Sequence, residues 1–297
     1  MTEVTLLMGE PTIEVIAEMA LNTSGLQGLE RWLKEHRPAC DVEESADGRS
    51  LFPHTMDDAP ISSDEPQLLT GRILSDNEEL AELAGRKCYD SFGSNAGRKT
   101  NRDYFEHIFG MDPIHASIGY HCKMTFFFAG VSRKFSHQFI RNYVGSDRSE
   151  EGCPSQESTR YTRHYGYYVA PPYVAAGLPM VNFRLDCQEN YAAYCKFLDR
   201  EITVHTTRFG GPPKGQDKKD IFEAAAGLLN MSAETSFVWT TNPMAIRKFL
   251  KERCHEAADA EIDRFARNLA RICFGRWPNL FLGSDLDNVR ERCVVPK

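Results

Sequence analysis

Residues 122–139 constrain the fold more than any other stretch of this chain. Cys122, Met124, Phe126 and Phe128 alternate with Lys123, Thr125 and Phe127, the period of a strand with one buried face. Phe135 and Phe139 then follow at i, i+4, the spacing that places both on one side of a helix. The switch from period two to period 3.6 predicts a buried strand running into an amphipathic helix over Ser132–Tyr143. Residues 144–158 are polar and glycine-containing, so the helix is expected to end in a loop.

The flanking sequence predicts an α+β fold, a small sheet packed with several helices in a single domain spanning 1–297. Val4–Leu7 reads as a first strand and Ile13–Leu21 as a helix. Asp76 caps a helix to about Tyr89. Residues 40–76 are rich in Asp, Glu, Ser and Pro with little periodicity, a surface excursion. Gln188–Thr207 and Lys218–Leu229 read as helices. Asn242-Pro243 is a cap with proline at the first helical position, ahead of an apolar stripe of Ile246, Phe249 and Leu250. Ile262, Phe265, Leu269 and Ile272 mark a last long helix. The formal net charge is −7, which argues against a partner such as polymeric nucleic acid. Nine cysteines without CxxC pairing read as reduced thiols, with no metal centre expected. No apolar run reaches membrane-spanning length, and Met1-Thr2-Glu3-Val4 does not resemble a secretory leader. The chain is therefore expected to be cytoplasmic.

Chemistry concentrates after the Phe-rich strand. Gln138 and Arg141 share a helix face. The following segment adds Arg148, Gln156, Ser158, Arg160 and Arg163. Arginine forks suit phosphates and uracil-like carbonyls, and serine hydroxyls suit phosphate oxygens. No Walker or GxGxxG pattern is present. Taken alone these residues are open to two readings, an anion site or a solvated basic face beside Asp147, Glu150 and Glu151.

Four ordered segments extend this reading. They are His115-Ala116-Ser117-Ile118-Gly119-Tyr120-His121; Ser136–Arg141 continued by Gln156-Glu157-Ser158-Thr159-Arg160-Tyr161; Trp239-Thr240-Thr241-Asn242; and Phe249–Arg253 followed by Glu261-Ile262. Together they resemble the flavin-dependent thymidylate synthases. The resemblance implies FAD as cofactor, methylenetetrahydrofolate as carbon donor, NADPH as reductant and C5 of a uridine monophosphate as acceptor. It also implies a homotetramer with sites shared between subunits. By the same resemblance Gln138, Arg141, Gln156, Ser158 and Arg160 bind the nucleotide. Arg253 faces the pyrimidine and is the residue expected to carry catalysis. His115, Ser117, Arg141, Asn142, Tyr143, Asn242 and Lys248 fall at flavin-side positions.

The chain departs from that pattern at several points. Asn142 and Tyr143 stand where the family has His-Arg, Gln156 where it has glutamate, and Ala226 and Met244 where it has arginines. An insert lies near residues 146–153. These departures resemble a specialised branch acting on UMP in polyoxin-type nucleoside antibiotic biosynthesis. They equally suit a paralogue that binds nucleotide and flavin without turnover, or a flavoenzyme giving another one-carbon product. Cys153 lies in the insert with no positioned base and reads as a bystander; Ser158 reads as a binding hydroxyl.

Overall fold

In the computed structural model, residues 3–36, 56–57, 72–89, 91–92, 100–141, 154–177 and 179–293 are described. The first part of the chain gives β1 (Thr5–Leu7), β2 (Thr12–Glu18), α1 (Thr23–His36), β3 (Met56–Asp57), β4 (Arg72–Ile73), α2 (Asp76–Tyr89) and α3 (Asn101–Phe109). A 3-10 turn at Ala116–His121 leads into β5 (Met124–Ser132), α4 (Arg133–Arg141), β6 (Pro154–Gln156) and β7 (Tyr167–Val169). The rest is mostly helical: α5 (Pro172–Ala175), α6 (Met180–Phe209), α7 (Gly215–Ala226), β8 (Glu234–Thr241), α8 (Pro243–Arg253), α9 (Ala260–Arg276) and α10 (Asp287–Cys293).

The predicted Phe-rich strand is β5, an inner strand of a four-stranded antiparallel sheet ordered β2-β5-β8-β6. Phe126 lies opposite Trp239 and Phe128 opposite Phe237, so the large apolar side chains share one face. Its other face carries Thr125, which meets Thr240 across the strands at 3.0 Å. A register shift between Phe128 and Val131 accommodates Gly130, whose φ of 71° suits a residue without a Cβ.

Helix α4 lays Phe135 and Phe139 onto that apolar face. Phe139 packs against Phe237 at 5.1 Å, Trp239 at 5.1 Å and Phe249 of α8 at 5.3 Å. Phe265 of α9 closes the layer at 4.8 Å from Phe128 and 4.6 Å from Phe135. Each fully buried phenylalanine contributes about 1.5–3 kcal/mol, so this aromatic layer sets where α4, α8 and α9 lie. A second cluster forms where the parallel pair β1–β7 packs on α6 and α7 through Leu6, Tyr168, Tyr191, Tyr194, Leu198 and Phe222.

Residues expected as a helix at Ile13–Leu21 instead form the edge strand β2. Ile13 and Val15 turn toward the core while Glu14 and Ile16 face out, and the strand pairs along β5. The segment satisfies both periods, and pairing with an open strand edge decides between them. Helix α6 extends beyond the expected Gln188–Thr207, and α7 lies a few residues earlier than Lys218–Leu229. The excursion expected over 40–76 falls largely outside the described residues.

Candidate active site

Helix α4 begins where β5 ends, and Ser132 fixes the junction. Its Oγ accepts from the Phe135 N–H at 3.0 Å and donates to Glu261 at 2.7 Å, while the Ser132 N–H donates to the same carboxylate at 2.8 Å. One turn apart at the far end of α4 stand half-buried Gln138 and exposed Arg141. Arg141 closes the helix, where a guanidinium complements the negative end of the dipole. Asn142, Tyr143, Arg148 and the 146–153 insert lie outside the described residues.

The signature loop is tied to the first turns of α4. Gln156 ends β6, and its amide nitrogen donates to Ser136 Oγ at 3.0 Å and Thr235 Oγ1 at 3.1 Å. Ser136 gives its own proton to the Arg133 carbonyl at 3.0 Å, so its lone pair faces residue 156. An amide donor matches that lone pair; a carboxylate does not. This accounts for glutamine at the position, and it also means that the Gln156 amide is committed inside the fold. Ser158 follows with its Oγ accepting from the Arg160 N–H at 3.4 Å, and the Glu157 N–H is held by the Ser236 carbonyl at 3.0 Å. Arg160 reaches Glu223 of α7 at 2.7 Å, both side chains about half exposed. Such a pair is worth less than about 1 kcal/mol and yields readily to a phosphate.

The remaining predicted residues gather around α8. Asn242 caps it, its side chain accepting from the Ala245 N–H at 3.0 Å, with Pro243 at the first helical position. Lys248 is half-buried, and Arg253, also half-buried, is the last residue of the helix. Arg247, absent from the sequence reading, anchors α8. It is fully buried, donates to the Leu280 carbonyl at 3.2 Å and the Leu282 carbonyl at 2.6 Å, pairs with Asp285 and lies 4.1 Å over the Phe109 ring. Burial draws its guanidinium down to about 10 against the pull of Asp285.

The turn bearing His115 and Ser117 packs directly on the start of α8. A Cβ placed on Gly119 would stand 2.7 Å from the Met244 side chain, so this close approach needs glycine. His115 keeps a buried Nδ1 with no protein partner, and the Ser117 side chain is exposed beside it in sequence. An orphaned ring nitrogen and a hydroxyl on a turn packed against the start of α8, with Lys248 further along that helix, suit a polar, partly anionic cofactor such as FAD. Helices α4 and α8 meet through Phe139 and Phe249, which joins the Arg141 and Arg253 helices in one packed unit.

A hydrophobic sheet face thus carries two arginine-bearing helices, one tied to a serine–arginine loop and the other to a polar turn. Residues 71–279 match the family described as Thymidylate synthase complementing protein. The chain belongs to this family, the flavin-dependent thymidylate synthases, enzymes of the methyltransferase type. Among its relatives is a flavin-dependent thymidylate synthase of Mycobacteroides abscessus, 30% identical over 220 residues, covering 73% of this chain and 83% of the relative. That of Mycolicibacterium vanbaalenii is 32% identical over 205 residues, covering 68% and 77%. A crystal structure of thymidylate synthase X from Helicobacter pylori with FAD and dUMP aligns at a TM-score of 0.45 and 16% identity, covering 69% of this chain and 95% of that one.

Proposed function

We propose that this protein is an FAD-dependent enzyme that methylates C5 of a uridine monophosphate, UMP or dUMP, with methylenetetrahydrofolate as carbon donor and NADPH as reductant. The placement within nucleoside antibiotic biosynthesis, with UMP as acceptor, is part of the same proposal. The observation that carries it is the arrangement of the uridylate-side groups. Arg141 ends the helix whose first turns hold the Ser158–Arg160 loop, while Arg253 ends the helix packed against it at Phe139 and Phe249.

Each group has a defined task. Ser158 and Arg160 take the phosphate, Arg160 leaving its surface pairing with Glu223. Gln138 and Arg141 orient the nucleoside. Arg253 faces the N3/O2 edge of the uracil and stabilises the negative charge that grows there as C5 becomes nucleophilic. FAD, when bound, supplies the redox chemistry that moves the one-carbon group from folate to the ring. His115, Ser117, Asn242 and Lys248 would hold it, and the family resemblance assigns Asn142 and Tyr143 to the same cofactor.

The homotetramer belongs to this reading as well. Helix α6 exposes Val181, Leu185, Val204 and Phe209, apolar surface that subunit contacts would cover. Supplied with UMP or dUMP, methylenetetrahydrofolate and NADPH, the purified flavin-loaded protein is expected to release a 5-methylated nucleotide by mass spectrometry. Uridylate binding without any methylated product would assign the chain to a binding-only branch instead.

A further inference from the structure

Arg133 belongs to none of the sequence motifs, yet it joins three parts of the site. It opens α4, and its backbone N–H donates to the Ala233 carbonyl at 3.0 Å, just before β8. One guanidinium N–H donates to the Glu157 carbonyl at 3.1 Å, immediately before Ser158. The guanidinium also faces the carboxylates of Glu157 and Glu234 across a polar cavity of about 40 Å³. Glu234 accepts from the Gly130 N–H at 2.9 Å, so it is fixed to the bulge of β5. Burial raises the Glu234 carboxyl, the Glu157 charge raises it further, and Arg133 opposes both.

The other end of the loop is equally fixed. His164 is 8% exposed; its N–H donates to the Tyr194 hydroxyl at 3.0 Å, and its carbonyl accepts from Tyr191 at 3.3 Å. Its Nδ1 accepts from the Gly166 N–H at 3.2 Å, which leaves the ring proton on Nε2, a buried atom without a protein partner in the wall of the same cavity. The segment from 157 to 164 is therefore held by α4 at one end and by the tyrosines of α6 at the other. Ser158 and Arg160 lie between these two anchors.

We infer that Arg133 is a positioning residue for the uridylate site: it locks the 157–164 loop to the base of α4, so that Ser158 and Arg160 keep a fixed relation to Gln138 and Arg141. The inference rests on the functional reading above. It explains why a half-buried cation stands at a position that touches no reacting group. Without it the Glu157 carbonyl loses its charged donor, and two carboxylates are left facing each other.

The test compares flavin-loaded wild type, Arg133→Met and the double variant Arg133→Met/Glu234→Gln. Arg133→Met is expected to weaken UMP and dUMP about tenfold by calorimetry, the scale of one charged hydrogen bond. The double variant, relieved of carboxylate repulsion, is expected to regain most of that loss. In nucleotide-free protein, amides of 157–164 should exchange faster in Arg133→Met while those of 135–141 do not change. A purely structural arginine would lower the melting temperature without moving affinity, and Glu234→Gln would not rescue it. Should Arg133→Met fail to fold, Arg133→Lys takes its place, with intermediate affinity expected and wild-type affinity counting against the inference. Wild-type affinity in Arg133→Met, or no rescue, overturns the role of Arg133 alone. A wild-type protein that binds neither nucleotide overturns the functional reading, and the exchange measurement then decides whether Arg133 holds the loop.

Discussion

Arg253 and Arg160 do different work in the proposed reaction, and substitution separates them. Arg253 meets a charge that grows only as the reaction proceeds, so Arg253→Ala should lower kcat by about 100-fold or more while nucleotide Kd shifts little. A change confined to Kd would remove the assigned role. Arg160 meets a phosphate already charged in the ground state. Arg160→Ala should raise Kd for UMP about tenfold, with the weak Glu223 pairing contributing almost nothing to fold stability. Titration calorimetry and a melting curve report the two quantities. The family resemblance pointed to both arginines because their neighbours in the chain carry the motif. Arg133 was not, because its partners Glu157 and Glu234 come together only through the sheet.

At the scale of elements, the site depends on how firmly α4 and α8 are seated. Gln156 connects α4 to β8 by donating to Ser136 and Thr235, the latter 79 residues away. Gln156→Glu restores the family's usual residue but turns a donor into an acceptor against the Ser136 lone pair. It should cost about 1–3 kcal/mol in urea unfolding at neutral pH. An unchanged midpoint would mean that Ser136 and Thr235 rotate to donate instead. Helix α8 is seated by Arg247 on two carbonyls and Asp285. Arg247→Leu leaves two carbonyls without their donor while Asp285 keeps its pairing with Lys251, with an expected loss of about 1–3 kcal/mol by the same measurement. The strand-to-helix switch at β5–α4 and the Asn242-Pro243 cap were readable because each is written in local spacing. The segment at Ile13–Leu21 was misread as a helix because its apolar residues fit both periods, and only the unpaired edge of β5 favours the strand.

Across the whole molecule, the buried histidine couples stability to pH. Burial, reinforced by Arg133, pushes His164 down to about 4, although the Tyr167 backbone and Glu157 pull the other way. In the unfolded chain the ring takes a proton near 6.5, and in the folded chain only near 4. Stability is therefore full above about 6.5 and falls as pH drops toward about 4, by on the order of 2–3 kcal/mol from this group. His164→Gln should flatten that slope in urea unfolding between pH 7 and 4.5, even if it lowers stability at pH 7. The exposed apolar residues of α6 carry an expectation of their own. Light scattering should give a mass near four chains, and charged substitutions at Val181 and Leu185 should reduce it; a monomeric wild type would overturn the shared-site arrangement.

The sequence by itself determined the α+β class, the buried strand, the capped helix of Arg253 and the family, since these are set by spacing and by ordered motifs along the chain. Only the tertiary structure decided the strand at Thr12–Glu18, the glutamine that faces Ser136, the anchoring of α8 by Arg247 and the arginine beneath the loop. Each of these depends on a partner distant in sequence. An open strand edge, a lone pair, a bare carbonyl or an opposing carboxylate exists as a constraint only after the sheet and helices have packed.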